Sequence, residues 1–220
     1  MSPVWTGRIL RAVLIALGLA AWFWTQSLIG RRPVTVGVIG DTIHEWTAPL
    51  NQSLHEHPDA ANALLIVSSA IIDSVGVFLL VKTIFGSSVR PFLGLVLLFM
   101  MRQVSQALCS VPPPPGMIWH FPGFPSLLVT YGVANDLFFS GHTAIAVYGA
   151  LELSRVGKWP VRAAAGLLAM FEATTVLVLR AHYTMDVVAG GLAAYLAARL
   201  AERMSPTCDA WIAKCNARRS

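Results

Sequence analysis

The sequence predicts an all-α polytopic membrane protein with six transmembrane helices in a single domain, residues 1–220. Three observations lead there. Hydrophobic residues make up 55% of the chain, and charged residues only 12%, about half the charged share of an ordinary soluble domain. Six apolar segments also recur between polar loops, most near the roughly 20 residues that span a bilayer. Together these features exclude a soluble globular enzyme, a disordered tail and a disulfide scaffold. The net charge of +5 is what Lys and Arg in cytoplasmic loops produce, so it is not read as nucleic-acid affinity. Cys109, Cys208 and Cys215 form no CxxC pair and predict neither a disulfide framework nor a zinc site.

The first span is Ala12 to Gly30, a charge-free run behind Arg8 and Arg11. Its length, its Trp22 and Trp24, and the lack of a small-x-small site predict a retained helix rather than a signal peptide. Polar residues follow, from about Arg31 to Asp59. The second span runs from Ala60 to Val81 with Asp73 inside it, and the third from Pro91 to Cys109 with Arg102 inside it. Next comes Val111-Pro-Pro-Pro-Pro-Gly116, which cannot be helical and predicts a stiff extended loop at the membrane surface. The remaining spans are Leu137 to Leu153, Val161 to Leu179 and Tyr183 to Leu200, followed by a short basic tail.

Six crossings put both termini on one side. With the termini in the cytoplasm, twelve of the 16 Lys and Arg residues face inward. Arg31, Arg32 and Arg180 face outward, and Arg102 lies within a span. That asymmetry fits the orientation. It places the loop before the fourth span and the turn before the sixth on the same outer face, in what composition suggests is a bacterial inner (plasma) membrane.

Those two places carry the chemistry. Phe138-Phe139-Ser140-Gly141-His142-Thr143 precedes the fourth span, and Arg180-Ala181-His182-Tyr183-Thr184-Met185-Asp186 precedes the sixth. On a helix, His182 and Asp186 share a face, so the carboxylate can orient the imidazole and stabilise its charged form. Ser140 and Gly141 at a helix start leave backbone N–H groups free for an anion such as phosphate. Two histidines, an aspartate and arginines at the lipid–water boundary suit phosphoryl transfer. One imidazole attacks phosphorus, the other protonates the departing oxygen, and cations offset the phosphoryl charge. Read separately, each histidine is better explained as a helix cap or a polar-gap filler; the paired motif is what favours function.

Ser-Gly-His-Thr and His-Tyr-Thr-x-Asp, one helical hairpin apart, resemble the PAP2 superfamily of lipid phosphatases and phosphotransferases. More narrowly, they resemble its sphingomyelin-synthase-like branch, which includes sphingomyelin synthases and phosphatidylcholine:diacylglycerol cholinephosphotransferases. The resemblance covers residues 98–200, the expected catalytic core. It includes Arg102 ahead of the proline loop, and Asp136 six residues before His142. It implies a six-helix PAP2-like bundle with the site on the non-cytoplasmic face. His182 would be the nucleophile forming a phosphohistidine, with Asp186 orienting it and His142 acting as acid, then base. No cofactor or metal is implied; the partners are a phospholipid donor, a lipid-alcohol acceptor and the bilayer. The chain departs from the phosphatase branch. Lys82 and Arg90-Pro91 have seven residues between them rather than six and lie a whole span before His142, so they read as inner-loop residues. Thr175 and Val176 stand where that branch has Ser-Arg. The departures favour transfer over hydrolysis.

Arg102, Arg180, Ser140 and Gly141 are the expected phosphate-binding residues. For Arg102 the alternative is snorkelling to the headgroups, and for Arg180 an interfacial anchor. Asp136 either caps the fourth span or supports catalysis. Glu172 and Asp73 read as hydrogen-bonded residues facing the bundle, and Glu152 as lying near the cytoplasmic interface. His44, Glu45, His55, Glu56 and His57 read as a solvated loop or a lid rather than a metal site. Trp22, Trp24, Trp46, Trp119 and Trp159 read as interfacial anchors. Three functions remain open: a phosphotransferase moving phosphocholine or a related phosphoalcohol to diacylglycerol or ceramide, a phospholipase C-like hydrolase or lipid phosphatase with the same residues, and a non-enzymatic transporter or scaffold. Composition does not decide the oligomeric state.

Overall fold

The computed structural model describes residues 3–31, 36–132 and 136–217. Arg32, Arg218 and Arg219, counted in the charge asymmetry, lie outside the described residues. The described chain is all-helical, without strands: α1 (Pro3–Gly30), α2 (Thr42–Trp46), α3 (Ala48–Glu56), α4 (Pro58–Phe85), α5 (Arg90–Leu108), α6 (Gly141–Ser154), α7 (Trp159–Val178) and α8 (Thr184–Ala217). Five of them, α1, α4, α5, α7 and α8, are long and apolar enough to cross a membrane. The chain is an integral membrane protein.

The fourth expected span differs from the other five. Residues 137–140 are not helical, and α6 has only 14 residues, about 21 Å at 1.5 Å per residue. Its brevity goes with its position. It packs against α7 and α8 and also touches α4 and α5, so protein rather than lipid covers most of it. Small residues permit this. Ala193, Ala194, Ala197, Ala198 and Ala201 form a buried stripe on α8, which lets backbones approach closely. At Gly190 a Cβ would stand 2.7 Å from the Ser140 carbonyl oxygen, so α8 can press on the start of α6 only with glycine there.

Three expectations need correction. The polar stretch before α4 is not simply a solvated loop. It holds α2, whose N-cap Asp41 accepts hydrogen bonds from the Ile43 and His44 amides, and α3, with a proline in its first turn. The connection that begins with the proline-rich loop does not stay at the surface along its whole length, because Leu128 and Val129, past the last of its prolines, join the main core. Asp73 holds it there, accepting from the Leu127 and Leu128 amides at 2.8 and 2.9 Å and from Ser126 Oγ at 3.0 Å. Finally, α8 does not stop near Leu200 but continues to Ala217 through Pro206. Ala201, Ser205 and Ile212 remain buried along that extension.

Candidate active site

The site begins where α6 begins. Ser140 is extended and caps the helix, its Oγ accepting from the Thr143 amide at 3.3 Å and from Thr143 Oγ1 at 3.1 Å. The first-turn amides of Gly141 and His142 have no carbonyl one turn back within the helix. Over them lies Arg102. A Cβ on Gly141 would be 3.2 Å from Arg102 Nε, so glycine is what admits the guanidinium. Arg102 comes from α5 and is 8% exposed. A buried guanidinium is tolerated only when its donors are met, and four groups meet them. Nε donates to the Phe139 carbonyl at 3.1 Å, Nη2 to the Asp136 carbonyl at 2.8 Å and to Asp136 Oδ2 at 3.5 Å, and Nη1 to Gln26 Oε1 at 3.4 Å. Asp136 Oδ2 also accepts from Gln26 Nε2 at 2.7 Å, and the Gln106 amide donates to the Asp136 carbonyl. Asp136 therefore anchors the arginine and does not cap α6, which Ser140 does.

The second half lies at the start of α8. His182 is two residues ahead of the helix rather than on it, which revises the shared helical face. Asp186 reaches back instead. Its Oδ2 accepts from the Tyr183 amide at 2.9 Å, the reciprocal bond of a helix-start capping box, and stands 3.8 Å from His182 Nδ1. That separation is within ion-pair range but longer than a hydrogen bond. Asp186 Oδ1, His182 Nδ1 and His142 Nε2 are buried without a partner among the described residues. The two helix starts are tied by the Ser140 amide, which donates to the Asp186 carbonyl at 3.1 Å.

Both imidazoles line one cavity with Arg102, Asp136, Gly141 and Ala181. Its other walls are largely apolar and include Trp22, Ile72, Phe99, Trp119, Leu128 and Val129. Trp22 is not an interfacial anchor: it is 6% exposed and stacks on Phe99, with ring centroids 4.7 Å apart. Trp119 meets the His142 ring edge-on at 5.2 Å, and its Nε1 donates to the Thr130 carbonyl at 3.1 Å.

Arg180 does not line the cavity. In a left-handed conformation (φ 52°), it donates to the Pro115 carbonyl at 2.7 Å and to the His44 carbonyl at 3.1 Å. The His44 reading also changes. Its ring is buried, its Nε2 lies 2.9 Å from the His182 carbonyl oxygen, and it stacks on Tyr183 at 5.5 Å. Asp41 fastens the same turn, accepting from the Thr184 amide at 2.6 Å and from Thr184 Oγ1 at 2.8 Å. Burial raises the Asp41 pKa, but the hydrogen bonds from Thr184 and the influence of His44 outweigh it and hold the carboxyl below its ordinary value. Residues 41–44 are thus a clasp on the His182 turn. Sequence reasoning missed this role, and missed Gln26 altogether. His55 and His57 each place a ring nitrogen against a backbone carbonyl, of Gly116 and Ser53 respectively.

Lys82 and Arg90 are not at the cavity. They pair with Glu152 at 3.1 and 3.0 Å. Glu172 accepts from Ser68 Oγ at 2.6 Å in the bundle interior.

A family model described as AtPDCT1/2 matches residues 41–203. This range starts at the clasp and holds every cavity residue except Trp22 on α1. Phosphatidylcholine:diacylglycerol cholinephosphotransferase 1 of Arabidopsis thaliana is 24% identical over 144 residues, 66% of this chain and 46% of that protein. The chain spans about half the length of that curated relative.

Proposed function

The chain belongs to the AtPDCT1/2 family, and from that premise we propose that it is a membrane phosphotransferase of lipid headgroups. It moves phosphocholine, or a related phosphoalcohol, from a phospholipid to a lipid hydroxyl such as that of diacylglycerol or ceramide. One observation carries the reading: His142 and His182, from separate helix starts, line one cavity with Arg102, and His142 Nε2 is buried without a hydrogen-bond partner among the described residues.

In the first step a His182 nitrogen attacks the donor phosphorus. The bond from phosphorus to the diacylglycerol oxygen breaks, and protonated His142 delivers its proton to that oxygen. The phosphoalcohol is then held on His182. In the second step neutral His142 takes the proton of the acceptor hydroxyl, whose oxygen attacks phosphorus and displaces His182. Arg102 and the first-turn amides of α6 offset charge on the phosphoryl oxygens. Asp186 stabilises the charged His182 ring, and their 3.8 Å separation shortens when substrate binds, as catalytic contacts commonly do. No cofactor enters the scheme. The largely apolar cavity walls support a lipid acceptor over water.

The proposal includes a PAP2-type arrangement in which α6 and the segment before it complete a sixth crossing. It puts the catalytic core at residues 98–200, both termini in the cytoplasm of a bacterial inner membrane, and the cavity toward the outer face. The test is purified protein in micelles with headgroup-labelled phosphatidylcholine and a diacylglycerol of different acyl mass. Transfer predicts label in a lipid of the acceptor's mass. Label only in water-soluble phosphocholine indicates a hydrolase, and no release indicates a non-enzymatic protein.

A further inference from the structure

The cavity that holds the histidines shares a wall, the stacked rings of Trp22 and Phe99, with an apolar groove on the flank of the bundle. The groove runs between α1 and α5, and Trp22 and Phe99 line both it and the cavity. The α5 side of the groove runs from Phe92 to Val104, about 18 Å at 1.5 Å per residue. One leaflet of a hydrocarbon core roughly 30 Å thick is comparable. Polar side chains in the groove are few, and they gather at the cavity end. There Trp22 Nε1 and Gln103 Oε1 are buried without a hydrogen-bond partner among the described residues. The network fixes which Gln103 atom is left over. Gln26 donates through Nε2 to Asp136, so its Oε1 accepts, and Gln103 Nε2 donates to it at 2.9 Å. That leaves the Gln103 carbonyl oxygen.

Of the two, the Trp22 N–H is the group that a lipid ester can meet, because an ester only accepts. We infer that the α1/α5 groove seats an acyl chain of a glycerolipid substrate, with the Trp22 N–H donating to the ester carbonyl between chain and headgroup. This rests on the phosphotransfer reading above. The lipid's own order fits the order of the site. Phosphate lies at Arg102 and the histidines. An ester carbonyl, which only accepts, lies at the Trp22 N–H. The hydrocarbon runs past Phe99 along α5.

The test uses phosphatidylcholine with a photoreactive group midway along one acyl chain, bound to the full chain in micelles of unlabelled detergent. Cross-links concentrated on residues 18–25 and 92–104 are expected. Cross-links spread evenly around the bundle overturn the inference, since that is the pattern of lipid at the outer surface. Two variants give an independent reading. Val96→Trp fills the groove, and Val104→Trp narrows its exposed rim. Each raises KM for long-chain donor by about tenfold or more, the cost of excluding two methylenes from an apolar site. KM for a dihexanoyl donor stays unchanged. Leu167→Trp, on the exposed face of α7, is the control. Equal KM changes for both chain lengths, or none, overturn the inference. If the wild-type chain transfers from neither donor while cross-links still map to the groove, the transfer reading fails and the lipid seat stands.

Discussion

The two ends of α6 treat buried charge in opposite ways. Glu152 lies ten residues beyond His142, about 15 Å along the helix, and is 1% exposed. Its carboxylate is fully engaged. Arg90 grips it through Nε and Nη2 at 3.0 Å each, Lys82 Nζ is at 3.1 Å and Arg155 Nε at 3.6 Å. Beside it, the Tyr148 hydroxyl donates to the Arg90 and Pro91 carbonyls at 3.1 and 3.2 Å. At the other end, His142 Nε2, His182 Nδ1 and Asp186 Oδ1 are also buried and have no hydrogen-bond partner among the described residues. Burial of polar groups costs free energy at both ends, but only one end recovers it within the protein. The Glu152 end therefore reads as architecture, and the histidine end as a place kept for a ligand that completes it.

The hardest way to break that contrast is to remove an imidazole. His182→Ala is expected to abolish measurable transfer, and His142→Ala to lower kcat by a factor of about 10² to 10⁴. Neither lowers the unfolding temperature in detergent appreciably, because neither His142 Nε2 nor His182 Nδ1 makes a hydrogen bond among the described residues. Retained transfer in His182→Ala would end the catalytic reading. Arg102→Gln comes next, with transfer falling about 10²- to 10³-fold. Arg102→Lys does not restore it, because a point charge cannot reproduce the fork that reaches Phe139, Asp136 and Gln26 together. A rate assay on the three proteins checks this.

The opposite end gives the mirror result. Glu152→Gln leaves three cations around a neutral amide and is expected to destabilise the fold by roughly 2 kcal/mol. That is less than the 3–5 kcal/mol of a fully buried pair, because the cations keep some contact with water. Activity per folded molecule stays near wild type. An unfolding curve paired with a rate assay tests this, and a variant that unfolds normally but loses transfer would erase the distinction between the ends.

The smallest effect concerns the clasp. Asp41 holds its proton less readily in the folded chain than its ordinary value of 3.8 implies. The unfolded chain therefore binds more protons across that window, and stability rises with pH there. The contribution is complete above the ordinary carboxylate value and is lost as pH falls through the depressed one. Asp41→Asn, which keeps a good N-cap, is expected to cost at most about 1 kcal/mol near neutrality. The gap to wild type closes in acid. Unfolding midpoints from pH 6 to pH 3 measure it.

The residues at the cavity were legible where local chemistry announced them. Ser140, His142, His182 and Asp186 sit in short motifs, and Arg102 is conspicuous as a charge in an apolar helix. Gln26, Gln103 and Trp22 carried no such sign, since a neutral amide or an indole in a span looks like any other residue. Their importance comes from long-range contacts: Gln26 meets Asp136 across 110 positions, and His44 meets His182 across 138. The start of α2 was readable in principle, because Asp41 before Thr42 is a helix-start signal. The re-entry of the proline loop was not, because the hydrogen bonds that Asp73 supplies depend on tertiary placement. The same limit applies to α6. Hydropathy alone marked it as a span like the others, whereas its shortness follows from neighbours that shield it.

The central claim is that His182 carries the phosphoalcohol between donor and acceptor. The most direct measurement incubates the protein with donor labelled at phosphorus, without acceptor, and isolates the polypeptide under alkaline conditions. The account predicts acid-labile label on a peptide containing His182, absent in His182→Ala and discharged by added diacylglycerol. Turnover without any label on the chain, or label that persists in His182→Ala, would contradict it.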